Sequence, residues 1–240
     1  MRGLFVTGTD TGVGKTILCA ALLAAMAAEG WRVRAHKPAV TGLEDRAEIA
    51  ARGAWPPDHE LLAAAAGMNP EEVAPLRYGP AVSPRLAAQL AGDRIDPQRL
   101  ISAARGGAPT DDTAGGHVSV VEGIGGLLTP LAEDLTVRDL AAALELPVLI
   151  AARPGLGTIN HTLLTLEAAR AADLDVRAVV LTPWPATPAR IERSNRETIG
   201  ALGGIEVECL GLLDGPDLDG LAGAGATLPW QRWLGRASAA

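Results

Sequence analysis

The chain has few aromatic residues and few cysteines. Its 240 residues include one Phe, one Tyr and two Cys, whereas hydrophobic residues make up 48% of the chain. A core of this composition must consist of closely packed aliphatic side chains rather than aromatic clusters. The two cysteines, Cys19 and Cys209, lie far apart and lack the spacing of metal ligands, and we predict that Cys19 is a buried small apolar residue.

Long apolar runs and an excess of basic residues are also absent. No run has the length of a membrane span, and no secretory signal pattern is recognisable, so a cytoplasmic setting is expected. The formal net charge of −7 argues against nucleic acid and anionic membranes as partners. No convincing boundary divides the chain, and we expect one domain over residues 1–240.

Short β-branched runs alternate with alanine-rich helical patterns. This alternation predicts an α/β fold, a mostly parallel, doubly wound sheet with helices on both faces. The predicted strands span residues 3–7, 31–36, 117–121, 147–152, 176–182 and 206–212. The predicted helices span residues 15–29, 58–66, 83–92, 96–105, 136–144, 158–172 and 188–201. Residues 41–57 are expected to form an irregular loop over the strand ends, residues 106–116 a surface connection, and Trp230 and Trp233 the packing anchors of the C-terminal segment.

The strongest motif follows the first predicted strand and reads Gly8-Thr9-Asp10-Thr11-Gly12-Val13-Gly14-Lys15-Thr16. A strand before it and a helix after it are the context that a phosphate-binding loop requires. Its glycines let backbone N–H groups converge on an anion, and the helix N-terminus adds partial positive charge. Lys15 would reach the terminal phosphates of a nucleotide, and the Thr16 hydroxyl would bind a magnesium ion.

Polar residues follow two further strands, at the edge where an open parallel sheet binds its ligands. Lys37 would place a second cation near the phosphates, although a solvated lysine also fits that position. Glu122 closes an apolar strand and is a candidate magnesium ligand. Asp58 is a second candidate ligand, with a helix N-cap or first-turn acid as the alternative.

A glycine-bearing turn, residues 153–157, precedes another predicted helix, so its backbone is suited to bind an anion or carboxylate. On local chemistry alone, Thr158 is more simply a helix cap and His161 a structural residue. Asn160 is able to donate a hydrogen bond to a substrate.

Together these segments resemble the dethiobiotin synthetases of the biotin pathway. The matching segments are residues 7–16, Lys37-Pro38, Thr41-Gly42, Ser83-Pro84, residues 121–123, Gly125-Gly126 and residues 156–161. The resemblance implies a phosphate-loop NTPase-like fold and an ATP-dependent cyclo-ligase. Such an enzyme converts 7,8-diaminononanoate and CO2 to a carbamate, phosphorylates the carbamate with ATP, and closes the cyclic urea of dethiobiotin.

The resemblance also implies a role for each matching residue. Lys15 and Lys37 would hold the γ-phosphate and the carbamate, and Thr11 would be a third catalytic residue. The nucleotide would be bound by Gly12, Val13, Gly14, Lys15, Thr16 and Thr182, and Mg²⁺ by Thr16, Asp58 and Glu122. The diamine would be bound by Thr11, Lys37, Thr41 and Gly125. In a homodimer, Leu156, Gly157, Thr158 and Asn160 would serve the substrate site of the partner subunit.

Two positions depart from the family pattern. Gly12 stands where family members often carry a glutamate, so any diamine contact from that side chain is missing. Leu181-Thr182 replaces the Asn-Asp that commonly reads the adenine edge, and a threonine cannot present both the donor and the acceptor of an amide. We therefore hypothesise that the chain accepts nucleoside triphosphates other than ATP.

The main alternative is a partitioning or positioning ATPase of the deviant phosphate-loop type. Such proteins carry an early lysine in the loop, where this chain has Asp10. The chain also lacks a recognisable basic or amphipathic tail for attachment to DNA or membranes. The sequence therefore favours the ligase.

Overall fold

A parallel sheet organises the computed structural model, which describes residues 1–105 and 117–235. The strands are β1 (Arg2–Gly8), β2 (Val33–His36), β3 (Ala39–Val40), β4 (Leu76–Arg77), β5 (Val118–Glu122), β6 (Pro130–Ala132), β7 (Leu135–Thr136), β8 (Val148–Ala152), β9 (Val176–Trp184) and β10 (Glu206–Gly211). The helices are α1 (Lys15–Ala28), α2 (Arg46–Arg52), α3 (Asp58–Ala66), α4 (Pro70–Val73), α5 (Pro84–Leu90), α6 (Pro97–Ala104), α7 (Val137–Leu144), α8 (Thr158–Arg170), α9 (Arg190–Gly203), α10 (Leu218–Ala226) and α11 (Trp230–Leu234).

The central sheet has six strands in the order β10-β9-β8-β1-β5-β2, and every neighbouring pair is parallel. In the register, Val6 of β1 lies beside Glu122 of β5, and Gly8 lies beside Ala151 of β8. The loop after β1 therefore leaves the sheet between the ends of β5 and β8. Two short pairs, β3 with β4 and β6 with β7, lie outside this sheet.

Helices cover both faces of the sheet, so the central strands are buried on each side. Successive side chains of a strand point to opposite faces. Accordingly, Leu4 and Val6 pack into one apolar cluster with α1, whereas Phe5 packs into a second cluster with α7. The predicted doubly wound α/β fold is confirmed.

Helix α1 is buried on nearly all sides, and Cys19 within it is fully buried, as predicted. Helix α10 crosses α1 at very short range. A Cβ atom at Gly225 would lie 2.0 Å from the carbonyl oxygen of Ala21, so only glycine permits this contact. Trp230 and Trp233 follow and are buried against the same cluster, which confirms that they anchor the C-terminal segment.

All the predicted strands and helices are present within a few residues of their predicted ends. The irregular loop predicted over residues 41–57 is wrong in part, because α2 lies within it. The Asp45 carboxylate accepts a hydrogen bond from the backbone N–H of Ala47 at 2.9 Å and starts this helix. Helices α4, α10 and α11 were not predicted, and the predicted surface connection 106–116 falls outside the described residues. Among the described helices, none has the length and apolarity needed to cross a membrane.

Candidate active site

The carboxyl edge of the sheet holds a cavity of about 640 Å³ beside the loop after β1. Most of the residues predicted for the nucleotide, metal and diamine meet in its lining. These are Thr11, Gly12, Gly14, Lys15, Thr16, Lys37, Thr41, Asp58, Glu122 and Gly125. The fold therefore brings together segments that are up to 114 residues apart along the chain, from Thr11 to Gly125.

The phosphate loop depends on two glycines with left-handed backbone conformations. Gly12 has φ +66° and Gly14 has φ +90°, values that L side chains rarely adopt. A Cβ atom at Gly14 would also lie 2.7 Å from the Thr182 Cγ2 atom. The loop passes directly from Gly14 into α1, so its N–H groups and the helix N-terminus are placed to bind an anion.

Lys15 lies inside the loop rather than in solvent. Its Nζ atom donates to the carbonyl oxygen of Asp10 at 2.8 Å, and its side chain is buried. Burial lowers the pKa of Lys15 to about 8, because desolvation disfavours the charged form. A polyphosphate in the loop would add negative charge beside this lysine and favour its charged form.

Lys37 lies between two carboxylates at the end of β2. Its Nζ atom is 2.6 Å from Glu122 Oε1 and 2.7 Å from Asp58 Oδ2. Burial disfavours the charged lysine, but Asp58 and Glu122 outweigh that effect and raise its pKa above the ordinary value. Burial raises the pKa of Glu122, and the Lys37 charge opposes this shift. A charged lysine is thus held at the cavity wall, close to the phosphate loop.

The oxygens beside Lys37 fit a magnesium ion. Thr16 Oγ1 donates to Glu122 Oε1 at 2.9 Å, which brings the hydroxyl to the carboxylate. Glu122 Oε2 is buried and has no hydrogen-bond partner among the described residues. Within that part of the chain, no three His, Cys, Asp or Glu side chains form a metal site. Magnesium fits this arrangement, since it commonly binds one or two carboxylates and completes its shell with water and phosphate oxygens.

The other side of the cavity is apolar, which sequence reasoning missed. The apolar lining comprises Ile17, Val40, Trp55, Pro56, Leu61, Ala81, Val82, Pro84 and Ile124. Several of these residues lie in segments 41–57 and 80–84, which connect the main elements. The cavity therefore has a charged end at Lys37 and a wall suited to an aliphatic chain.

The remaining predicted residues lie outside this cavity lining. Leu156, Gly157 and Asn160 are exposed on the turn after β8 and the start of α8. Thr158 does not cap α8, because Gly157 is the cap residue and the Thr158 hydroxyl is buried 3.4 Å from the Thr162 hydroxyl. Val13 is buried within the phosphate loop.

Thr182 is also buried, with 2% of its surface exposed, and it packs against Gly14. Its side chain packs against the backbone of the phosphate loop at Gly14. Contact with a nucleotide base remains a prediction.

Two positions near the loop had no predicted role. Arg153, the first residue after β8, donates from Nη2 to the Thr11 carbonyl at 3.1 Å and from Nε to the Gly12 carbonyl at 3.4 Å. Asn195 of α9 donates from Nδ2 to the carbonyls of Pro154 and Gly155 at 2.8 and 3.0 Å. The rule that singled out Lys37, a polar residue just past a buried strand, also selects Arg153. No sequence signal of this kind marks Asn195, because it lies in the middle of a helix and about 40 residues after the turn that it contacts.

Comparison with known proteins identifies the family. The chain is 41% identical over 212 residues to the ATP-dependent dethiobiotin synthetase BioD of Anaeromyxobacter sp. (strain Fw109-5), with 84% of this chain and 90% of the relative covered. The chain belongs to the dethiobiotin synthetase family.

Other dethiobiotin synthetases match in the same way. The BioD protein of Anaeromyxobacter dehalogenans (strain 2CP-C) is 45% identical over 184 residues, which cover 75% of this chain and 76% of the relative. The BioD protein of Haloferax mediterranei is 37% identical, with 84% and 80% covered. A family model described as an AAA domain also matches residues 2–214.

Among solved structures, the MinC:MinD cell division protein complex of Aquifex aeolicus has a similar fold. The TM-score is 0.53, and the match covers 98% of this chain and 92% of that chain. Sequence identity is 13%, so the likeness concerns the fold alone. The fold is therefore shared with this cell division protein complex, while the sequence places the chain with the dethiobiotin synthetases.

Proposed function

We propose that the chain uses ATP and CO2 to close the cyclic urea of dethiobiotin from 7,8-diaminononanoate. Family membership supports this reaction. One geometric observation also carries it: Lys37 is held in charged form at the wall of a cavity that also contains the phosphate loop. A cation in that place is suited to a reaction in which phosphate passes from the nucleotide to a second anion.

The chemistry needs positioning and charge stabilisation more than a strong base or nucleophile. One amine of the diamine adds to CO2 and loses a proton, which gives a carbamate. A carbamate oxygen then forms a bond to the γ-phosphorus as the bond to the ADP oxygen breaks. The second amine attacks the carbamoyl carbon, the carbon–oxygen bond to phosphate breaks, and the nitrogen loses a proton as the ring closes.

The residues at the charged end match the demands of these steps. Lys37 would lie between the carbamate and the γ-phosphate and offset negative charge as it moves between them. Lys15 and the phosphate-loop N–H groups would hold the nucleotide, and Thr11, Thr41 and Gly125 would line the diamine site. The aliphatic chain of the diamine would lie against the apolar wall.

Thr16, Glu122 and Asp58 would hold Mg²⁺ when the nucleotide binds. The unpartnered Glu122 Oε2 atom and the nearby Thr16 hydroxyl support this assignment. The ion would neutralise charge on the phosphate oxygens. Lys37 keeps both carboxylates close together until then.

A homodimer is part of the proposal, with the turn after β8 serving the partner subunit. Leu156 is 94% exposed, and Leu128 and Leu164 are each 56% exposed. Leu128 and Leu164 line the same shallow depression on the surface. Exposed leucines of this kind favour burial against another protein surface. The cytoplasmic setting stays a prediction.

The test is to mix the purified protein with diaminononanoate, bicarbonate, Mg²⁺ and ATP, and to measure dethiobiotin by mass spectrometry. We expect dethiobiotin, ADP and phosphate in equal amounts, with no phosphate release when the diamine is omitted. Phosphate release that does not depend on the diamine, without dethiobiotin, would overturn the proposed function and favour the positioning-ATPase alternative.

A further inference from the structure

Arg153 binds the phosphate loop from outside the cavity. It follows the last residue of β8, next to β1 in the sheet, and it does not line the cavity itself. Its guanidinium donates to two successive backbone carbonyls, those of Thr11 and Gly12. Both of these residues also line the cavity. Arg153 thus contacts the backbone of two cavity-lining residues without lining the cavity itself.

The turn that Arg153 contacts has a backbone conformation that glycine adopts readily and that L side chains rarely adopt. Gly12 has φ +66°, and a Cβ atom there would lie 3.3 Å from the Arg153 Nη2 atom. Without external hydrogen bonds, a glycine turn samples many conformations. The planar guanidinium fork binds both carbonyls at once. It therefore restricts the turn to a single backbone conformation.

In the described part of the chain, no carboxylate forms an ion pair with Arg153. The side chain is exposed. Its two bonds go to neutral carbonyls, so its positive charge adds to the field at the loop. A hydrogen-bonded cation also polarises the amides of the loop and strengthens their N–H groups as donors.

The turn that carries Arg153 is itself fixed. Asn195 of α9 is buried and donates to the Pro154 and Gly155 carbonyls, the two that follow Arg153. Arg153 therefore reaches the phosphate loop from a backbone segment that is hydrogen-bonded to α9. This helix packs into the apolar cluster that contains Phe5. This arrangement is more than a chance contact of an exposed arginine.

We propose that Arg153 is a positioning residue that holds the Thr11–Gly12 turn of the phosphate loop in the conformation that binds nucleotide. It acts through the loop backbone, before the nucleotide arrives. Once ATP is bound, the phosphates themselves hold the loop, so Arg153 affects ATP binding far more than later steps. The inference rests on the proposed function only in taking ATP as the nucleotide.

The test is to compare ATP affinity by isothermal titration calorimetry in Arg153→Ala, Arg153→Lys and a control, Arg105→Ala. Arg105 is also exposed and also lies outside the cavity lining, but it donates to the Ala143 carbonyl of α7 at 2.8 Å rather than to the phosphate loop. We expect Arg153→Ala to weaken ATP binding about tenfold, the equivalent of roughly 1.4 kcal/mol. Arg153→Lys keeps the charge but binds one carbonyl at a time, and it should lose about threefold. Arg105→Ala should bind ATP like the parent chain.

A second measurement separates positioning from general stability. At saturating ATP, Arg153→Ala should keep its kcat and its KM for the diamine within about twofold, and its melting temperature without nucleotide should match that of Arg105→Ala. Unchanged ATP affinity in Arg153→Ala would overturn the proposal. So would an equal loss of ATP affinity in Arg105→Ala, or a collapse of kcat at saturating ATP. If the parent chain binds ATP but makes no dethiobiotin, the proposed function fails while this test still decides the role of Arg153.

Discussion

Replacing Lys37 by methionine removes the cation between Glu122 and Asp58 while keeping a side chain of similar length. The loss of this cation affects the two carboxylates to different extents, because they differ in solvent exposure. The Glu122 side chain is 1% exposed, whereas that of Asp58 is 42% exposed and is able to turn towards water. The cost of the substitution therefore lies mainly in Glu122, which is left as a buried charge without its closest partner.

The size of this cost follows from the burial. Removing one partner of a buried ion pair typically destabilises a protein by about 3–5 kcal/mol. For a domain of this size, about 1 kcal/mol corresponds to roughly 2–4 °C in melting temperature. We expect Lys37→Met to melt about 6–20 °C below the parent chain and still to fold at 25 °C.

The matched control is the double variant Lys37→Met/Glu122→Gln, which removes both buried charges. We expect it to recover at least half of the lost melting temperature, as measured by calorimetry. Neither variant should form dethiobiotin, because both lack the cation at the reacting phosphate. Lys37→Met should still bind ATP, since Lys15 and the loop N–H groups remain.

Two results would refute this reasoning. The first is a Lys37→Met variant with the melting temperature of the parent chain, or a double variant that is as unstable as the single one. Either outcome would mean that Lys37 does not stabilise the fold by compensating the charge of Glu122. If ATP binding and turnover fall equally, the proposed place of Lys37 between carbamate and phosphate is wrong.

Three further predictions concern pH, assembly and the nucleotide base. Burial lowers the pKa of His36 to about 4, and the charge of Arg34 adds to the effect. The unfolded chain therefore takes up the His36 proton near pH 6.5 and the folded chain only near pH 4. The free energy of unfolding is thus highest above pH 6.5 with respect to this residue, and it decreases as the pH falls towards 4. Between pH 7.5 and 5, His36 should lower the free energy of unfolding, measured with urea, by about 2 kcal/mol, and the His36→Gln variant should not show this loss. The same pH dependence of stability in His36→Gln and in the parent chain would contradict this prediction. Leu156→Asp should shift the proposed dimer to monomer in sedimentation velocity, and a parent chain that is already monomeric would contradict the dimer. Turnover with CTP and GTP should approach that with ATP at matched concentrations, because Thr182 lacks the amide that reads adenine; a strong ATP preference would refute this hypothesis.

The regular elements of the fold could be predicted because their signals are local. Apolar β-branched runs and alanine-rich helices alternate in the sequence, and the strands and helices formed where they were expected. The proximity of Lys37 and Glu122 could be predicted for a related reason. A parallel sheet brings the ends of its strands to one edge, so a residue at the end of a strand can be placed at that edge. Asp58 instead begins α3, and the packing of α3 against α1 and β2 accompanies its contact with Lys37.

The remaining features depend on contacts between distant segments. Trp55 and Val82 lie in segments without a strong pattern, yet both line the cavity. Asn195 reaches the turn after β8 only because α9 packs beside α8. Thr182 is adjacent to Gly14 in space and 168 residues away in sequence, so its burial follows from the packing of β9 against the loop and from no local signal.

The contact between Gly225 and Ala21 bears on how the enzyme would move. Because α10 lies against the backbone of α1, the helix that begins at Lys15 cannot roll or slide without a collision of main chains. The phosphate site thus rests on a helix whose backbone is held by a second helix, whereas the apolar wall around Trp55 and Val82 comes from connecting segments. Residues 218–226, although outside the cavity lining, thus help to fix the helix that carries Lys15 and Thr16.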